Sequence, residues 1–444
     1  MIVPLTYKDT MDFKNLNIDQ KIAFCAAMNG ENMLVTGGGG VGKSHFIQML
    51  ARHKENIVLS ASTGVAAINI NGSTLSSALG FFRTEPLVFD LENLSNSVIN
   101  KFKKIETLLI DEFSMTRIDQ FELVDKVLKG IHDNDKPFGG VQLIVIADFC
   151  QLKPILTRDY EYRRLFQRVF RDRIYGFESE LFTTAKITPY VFANYIRNEN
   201  NEQCKALRCL RVGHNIEKSI SYINSIVNYE IPKNAIHLCT TNKQADAINE
   251  DSYNNLPGQE KTFYASIKND GIDCPVGRVI KMKINTRIML ITNNPEKGYF
   301  NGDVGTIVGF TKDAVQINLD RGVSILVEQY EWTDKPPYSS SKNYNGIKQI
   351  PLKLAYAITI HKSQGMTLDC AVLNLMGGVF SEFQAYVGLS RVRDLRNLTL
   401  LRPLQVSDIT INERAVDFTC YVSKLALDRR DEDINKFGLK EKAA

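Results

Sequence analysis

Met33-Leu-Val-Thr36-Gly37-Gly-Gly-Gly-Val-Gly42-Lys43-Ser44 is the stretch that decides the fold. Its first four residues predict a short strand, and the run 45–52 that follows the glycines predicts a helix. Between them the spacing G-x-x-x-x-G-K-S is that of a loop whose backbone N–H groups turn inward around phosphate oxygens. The following helix adds its positive end. Gly37, Gly40 and Gly42 shape this loop, Lys43 reaches the β- and γ-phosphates, and the Ser44 hydroxyl suits a magnesium shell.

Working outward, short apolar runs recur at 33–36, 57–61, 108–110, 143–147, 236–240, 371–375 and 398–401. Runs of this length suit strands buried on both faces of a parallel sheet. They fall before about residue 160 and after about residue 230, which predicts two α/β domains. Residues 253–350 change in texture: Gly, Asn, Pro and Asp are frequent, and the β-type runs are short. That predicts a small β-rich module inserted in the second domain. Residues 334–346 read as a surface loop, and the charged residues from about 428 as a solvated helix or frayed tail.

The run Leu108-Leu-Ile-Asp111-Glu112 ends a buried strand in two carboxylates, at the sheet edge where the phosphate loop emerges. Asp111 suits the magnesium shell and Glu112 the general base for an attacking water. ATP and Mg2+ are therefore the expected cofactors. Asn242-Lys243-Gln244-Ala245-Asp246 resembles a guanine-reading N-K-x-D, but its spacing is one residue too long; it reads as structural or DNA-related.

The 444 residues carry 54 Lys+Arg against 50 Asp+Glu, a net +4 that permits nucleic-acid binding without arguing for it. None of the eight cysteines forms a Cys-x-x-Cys pair, which suggests a reducing compartment and no zinc site. The N-terminus shows no basic segment followed by an apolar run, and no stretch approaches the roughly 20 apolar residues needed to span a bilayer. An intracellular protein without a membrane partner is expected, in the cytoplasm or nucleoid, or the host cytoplasm if phage-encoded.

Further segments carry a family resemblance. They are Gln20, Ser62-Thr63-Gly64-Val65-Ala66-Ala67, Pro137-Phe-Gly139-Gly140-Val-Gln142, Asp148-Phe-Cys-Gln151-Leu152, Thr241-Asn242 and Asn301-Gly302. Thr359-Ile-His361-Lys362-Ser363-Gln364-Gly365 and Tyr386-Val-Gly-Leu-Ser390-Arg391 complete the set. In this order they closely resemble the petite-integration-frequency (Pif-type) DNA helicases, a branch of superfamily 1B related to RecD and the phage Dda helicase. The resemblance covers about residues 13–402, and the compact size resembles bacterial and phage members.

It implies two RecA-like parallel-sheet motor domains with ATP between them and single-stranded DNA crossing both. The first spans 1–80 and 104–188, with a wedge-bearing insertion at 81–103. The second spans 189–252 and 351–425, with an SH3-like insertion at 253–350, and 426–444 is the charged tail. By the family's pattern Gln20 reads adenine, Gly365 lies on the nucleotide, and Gln151 senses the γ-phosphate. Arg197 and Arg391 reach that phosphate from the second domain, as guanidinium donors that make hydrolysis depend on closure. Thr63, Gly64, Thr359, His361 and Lys362 contact DNA, and Pro86 and Phe89 are the expected wedge tip. One departure is Thr74-Leu75-Ser76-Ser77, where a DNA-side histidine of the family is missing.

These features imply an ATP-dependent helicase moving 5′ to 3′ on single-stranded DNA and opening ss/ds junctions, working as a monomer. Replication, recombination or repair proteins are its possible partners. A translocase that strips proteins or remodels forks is a second reading. A nucleotide-switched DNA-binding subunit of a replication complex is a third; Glu112, Gln151 and Arg391 together argue against it.

Overall fold

The computed structural model describes residues 10–81, 85–157, 159–193, 201–232, 235–268, 274–333 and 346–439. Six parallel strands build the first sheet: β1 (Met33–Thr36), β2 (Ile57–Ala61), β3 (Ser73–Thr74), β4 (Thr107–Asp111), β5 (Gln142–Ala147) and β6 (Thr188–Val191). Their spatial order is β3-β2-β4-β5-β1-β6. All six residues of β5 are buried, as the unbroken apolar run requires of a strand covered on both faces. Alternation along the strands divides the core in two. Leu34, Leu108, Ile110, Leu143 and Val145 enter one cluster, and Met33, Val35, Leu109, Ile144 and Ile146 enter the other.

Register decides where the site lies. Thr36 pairs with Ala147 and Val191, and Ala61 pairs with Asp111. The loops that leave β1, β2, β4 and β5 therefore emerge at one carboxyl edge, the ligand edge of such sheets.

The second parallel sheet has the order Ala357–Thr359, Ile236–Cys239, Ala371–Asn374, Leu398–Leu400. It buries its own cluster around Leu238, Ile358, Leu373 and Leu400. The inserted module is β-rich as expected. A five-stranded antiparallel sheet runs Ser324–Glu328, Ala314–Leu319, Val304–Phe310, Arg287–Leu290, Leu352–Leu354. Its last strand lies beyond the expected boundary at 350.

Two other boundaries move. β6 belongs to the first sheet, so that sheet runs past residue 188. The expected tail is the end of one helix, Glu413–Lys436, which packs on the first domain. Ala415 and Val422 join one of that domain's clusters, and Phe437, just beyond the helix, joins the other. The Phe418 ring stacks on Phe177 at 4.0 Å. The charges that suggested a solvated tail are paired across this contact: Arg430 with Asp19 at 3.0 Å and Lys436 with Glu31 at 2.8 Å. Residues 334–345, most of the expected surface loop, lie outside the described residues. Among the described residues no helix is long and apolar enough to cross a membrane.

Candidate nucleotide site and nucleic-acid channel

Gly42 caps the helix Lys43–His53 in the left-handed region at φ 89°, where a Cβ would be strained, and no side chain caps the helix. The first N–H groups of the helix thus remain for a ligand. Gly37 is required by space: a methyl group there would lie 2.7 Å from the Phe192 carbonyl oxygen. Lys43 folds back over the loop, its Nζ donating to the carbonyls of Gly37 at 2.7 Å and Gly38 at 2.8 Å. Burial holds its pKa below the usual lysine range, although Asp148, Glu112 and Asp111 oppose the shift.

β4 delivers the two acids. Glu112 has φ 50°, an uncommon conformation for a residue with a side chain. Its N–H donates to Asp111 Oδ1 at 2.9 Å. Burial, and then the neighbouring Glu112 charge, push Asp111 up to about 7. Burial also raises Glu112, while Lys43 and Arg391 pull it down. A desolvated carboxylate pair and the Ser44 hydroxyl in the first turn of the helix that begins at Lys43 are hard-oxygen donors and fit magnesium. Among the described residues no three His, Cys, Asp or Glu side chains group to hold a metal. Magnesium is commonly held by one or two carboxylates with the rest of its shell from phosphate and water. Ser44 and Asp111 would hold it here.

The second domain closes on these acids. Gln364 Nε2 donates to Glu112 Oε2 and to Gln151 Oε1, each at 3.4 Å. Gln151 donates to Asp148 Oδ2 at 3.2 Å. Asp148 also accepts from Arg211 Nε at 2.8 Å and from the Tyr386 hydroxyl at 3.4 Å. Burial alone would raise Asp148, but Arg211 and Lys43 hold its pKa below the ordinary carboxylate value. Arg391 is buried, with Nε donating to the Val387 carbonyl at 2.8 Å and Nη2 to Ser390 Oγ at 2.7 Å. Its charge acts on Glu112 across the cleft.

Gln20 is buried beside the loop, with Nε2 3.5 Å from the Gly42 carbonyl oxygen and Oε1 accepting from the Asn17 N–H. Gly365 has φ 80°, and its carbonyl accepts from Asn69 Nδ2 of the first domain at 3.0 Å. Arg197 lies outside the described residues.

Behind the cleft a cavity of about 1260 Å3 runs between the domains. Thr63 and Gly64 line it from the first domain, His361, Lys362 and Gln364 from the second, and Asn301 from the inserted module. Asn301 is close enough that a methyl group on Gly64 would lie 3.4 Å from its Nδ2. Thr359 differs from its neighbours in the motif. It is buried in its strand, and its Oγ1 accepts from the Lys362 N–H at 3.4 Å, so it shapes the loop from behind.

The expected wedge tip is corrected. Phe89 is 6% exposed and packs edge-on against Phe81, ring centroids 6.3 Å apart, within the first domain's core. Pro86 is buried as well. Neither ring presents a face to a base pair, because both fill space that the 81–103 segment needs in order to sit on its domain.

Four residues in this arrangement escaped sequence reasoning: Asp148, Arg211, Gln364 and Phe380. Asp148 and Gln364 stood inside quoted motifs, and Arg211 lies only 14 positions after Arg197. Phe380 is 65% exposed and stacks on the channel-lining His361, centroids 6.0 Å apart and planes at 15°. An aromatic residue after the Gly377-Gly378 turn was its only signal.

Two parallel-sheet domains, with a phosphate loop and acid pair on one and polar donors supplied by the other, define a two-domain phosphate-loop protein of RecA-like architecture. A family profile described as PIF1-like helicase matches residues 15–173. The ATP-dependent DNA helicase Pif1 of Psychrobacter sp. is 30% identical over 461 residues, covering 86% of this chain and 67% of that protein. The human ATP-dependent DNA helicase PIF1 is 30% identical over 403 residues, covering 87% of this chain. The chain spans 60% of the human relative's length. Bacteroides Pif1 bound to single-stranded DNA superposes with a TM-score of 0.78 at 27% identity, covering 96% of this chain and 98% of that one. A Bacteroides Pif1 complex with ADP-AlF3 and single-stranded DNA gives 0.77 at 27% identity, with the same coverage. The chain belongs to the PIF1-like helicase family.

Proposed function

We propose that this chain is an ATP-driven DNA helicase whose hydrolysis depends on contact between its two motor domains. The observation that carries the reading is Gln364, which lines the channel and donates to Glu112 behind the phosphate loop. One side chain therefore belongs both to the surface that would hold DNA and to the acid that would take a proton from water.

In this reading the Gly37–Gly42 loop and Lys43 grip the phosphates, and Gln20 contacts the base. Glu112 accepts the proton of the attacking water, an arrangement suited to its raised pKa. Magnesium, held by Ser44 and Asp111, would neutralise charge on the β- and γ-phosphates. Arg391 and Arg197 donate to the phosphoryl group in transit, and Gln151 relays its presence toward Asp148. Thr63, Gly64, His361 and Lys362 follow the strand's backbone, with Thr359 bracing the last two. Movement from 5′ to 3′, action as a monomer and a role in replication, recombination or repair follow from the family resemblance.

A translocase with weak strand separation is the second reading, favoured by the burial of Pro86 and Phe89. Strand displacement with 5′-tailed and 3′-tailed duplexes separates the two. ATP-dependent opening of the 5′-tailed substrate is expected. DNA-stimulated hydrolysis without opening of either duplex would establish the translocase instead.

A further inference from the structure

The last helix reaches back to the residue beside Gln20. Gln20 stands in the first turn of the helix Ile18–Met28, tied to its cap by a reciprocal pair. Its N–H donates to Asn17 Oδ1 at 2.9 Å, and its Oε1 accepts from the Asn17 N–H at 3.2 Å. Side chain and helix end therefore move as one piece. The neighbouring Asp19 decides where that end sits. It is buried, with Oδ1 accepting from Arg430 Nε of the helix Glu413–Lys436 at 3.0 Å and Oδ2 from the Ala193 N–H at 3.5 Å. Ala193 follows Phe192, whose carbonyl oxygen crowds Gly37 of the phosphate loop and whose N–H donates to the Thr36 carbonyl at 2.9 Å. Asp19 thus holds the Gln20 end of its helix against a fixed wall of the loop. Without the Arg430 guanidinium this buried charge would keep one long bond, and such a charge is relieved by moving toward water. Docking of the last helix does not need the pair. Phe437 is buried in the first domain's cluster, Arg429 donates to the Pro189 carbonyl at 2.9 Å, and Lys436 pairs with Glu31 at 2.8 Å. Glu31 lies beyond the other end of the Ile18–Met28 helix, which is about 16 Å long.

We infer that Arg430 is a positioning residue for recognition of the nucleotide base. Acting through Asp19, it sets the place at which the Gln20 amide meets the base. The inference rests on the reading in which Gln20 contacts the base, and it extends that contact to the C-terminal helix. The grip on the phosphates comes from other groups, the Gly37–Gly42 loop and Lys43, so loss of Arg430 acts on the choice of base and spares the phosphates.

The test is equilibrium binding, so that turnover plays no part. A ribose-labelled fluorescent ADP is displaced from the full chain by ADP, by GDP and by tripolyphosphate, which has no base. Arg430→Met keeps the side-chain stem and removes the guanidinium; Asp19→Asn, which leaves no stranded charge, serves if the first variant melts early. Either is expected to lower the preference for ADP over GDP by about threefold or more, the coupling of residues in one hydrogen-bond network. The affinity for tripolyphosphate should stay at the parent's value. Gln20→Ala should abolish the preference, and Arg430→Met added to it should change the preference no further. Lys436→Ala cuts the other ion pair between the same two segments, away from Gln20, and should keep the parental preference. An Arg430→Met variant that weakens all three ligands equally, or that keeps the parental preference, overturns the positioning role. So does a loss of preference in Lys436→Ala equal to that in Arg430→Met, which would make docking of the helix the cause. A parent without preference, or a Gln20→Ala variant that retains it, overturns the base contact itself and this inference with it.

Discussion

Arg211 Nη2 lies 2.7 Å from Asp148 Oδ1, an ion pair joining a helix beside the second sheet to the loop that leaves β5 of the first. The Asp148 side chain is wholly inaccessible. A buried pair adds little net stability when intact, but removing one partner strands a charge and costs about 3–5 kcal/mol. Arg211→Ala should therefore lower the melting temperature by roughly 3–5 °C for a chain of 444 residues. Arg211→Ala with Asp148→Ala should recover most of that loss in the same thermal melt. A single variant as stable as the parent would mean that water already screens the pair.

Glu112→Gln keeps size and shape but cannot accept a proton from water. DNA-stimulated hydrolysis should fall by about 10²–10⁴-fold, the usual worth of a general base. Nucleotide affinity, followed with a fluorescent ATP analogue, should stay near the parent's. Hydrolysis at near the parent rate would remove Glu112 from the role of base.

Asp111 carries the pH dependence of stability. Its folded value of about 7 stands above the ordinary carboxylate value because burial disfavours the charge and Glu112 repels it. Between about pH 4 and 7 the folded chain keeps a proton that the unfolded chain has released. Stability contributed by this group therefore falls as pH rises through that window. Asp111→Asn should raise the melting temperature in EDTA at pH 8 by more than at pH 5. Equal gains at both pH values would contradict the burial of the charge.

The phosphate loop and the acid pair were legible because each is local: a strand end, a set turn and a helix start occupy consecutive residues. All seven apolar runs became strands for the same reason. β6 was missed because Pro189 reads against a strand, and it is tolerated there because β6 is at the sheet edge. The docking of the Glu413–Lys436 helix was hidden by its charges. Arg429 lies over the Tyr190 ring at 4.9 Å and donates to the Pro189 carbonyl at 2.9 Å, partners about 240 residues away. Arg211 and Gln364 were missed similarly, since their roles arise where two domains meet and no spacing records that meeting.

Phe380 is the exposed half of an aromatic pair with His361. If a base stacks there, Phe380→Ala should weaken single-stranded DNA binding by about 1–3 kcal/mol, roughly 5- to 150-fold. The salt dependence should keep its slope, because no phosphate contact is lost. Lys362→Ala should instead flatten that slope by about 0.7 for the one phosphate given up. A Phe380→Ala variant that binds as the parent does would leave the ring as a cover for His361 alone.

Phe89 provides the sharpest separation between packing and function. Its ring packs edge-on against Phe81 within the cluster that also holds Phe102 and Leu128. The neighbouring turn is fixed as well, by the Leu87 N–H donating to the Tyr162 hydroxyl at 3.3 Å and by Glu85 paired with Arg117 at 2.5 Å. Truncating such a ring costs about 3–5 kcal/mol through lost burial and the cavity left behind. Phe89→Ala should therefore lower thermal stability while hydrolysis and strand separation, per folded molecule, keep their parental ratio. Val88, the exposed residue at the turn, offers the contrast: Val88→Ser should change stability by less than about 0.5 kcal/mol, as surface substitutions do. Loss of strand separation with hydrolysis intact in Phe89→Ala would return the wedge to this segment. The same loss in Val88→Ser alone would place the wedge one residue earlier, on the side that faces solvent.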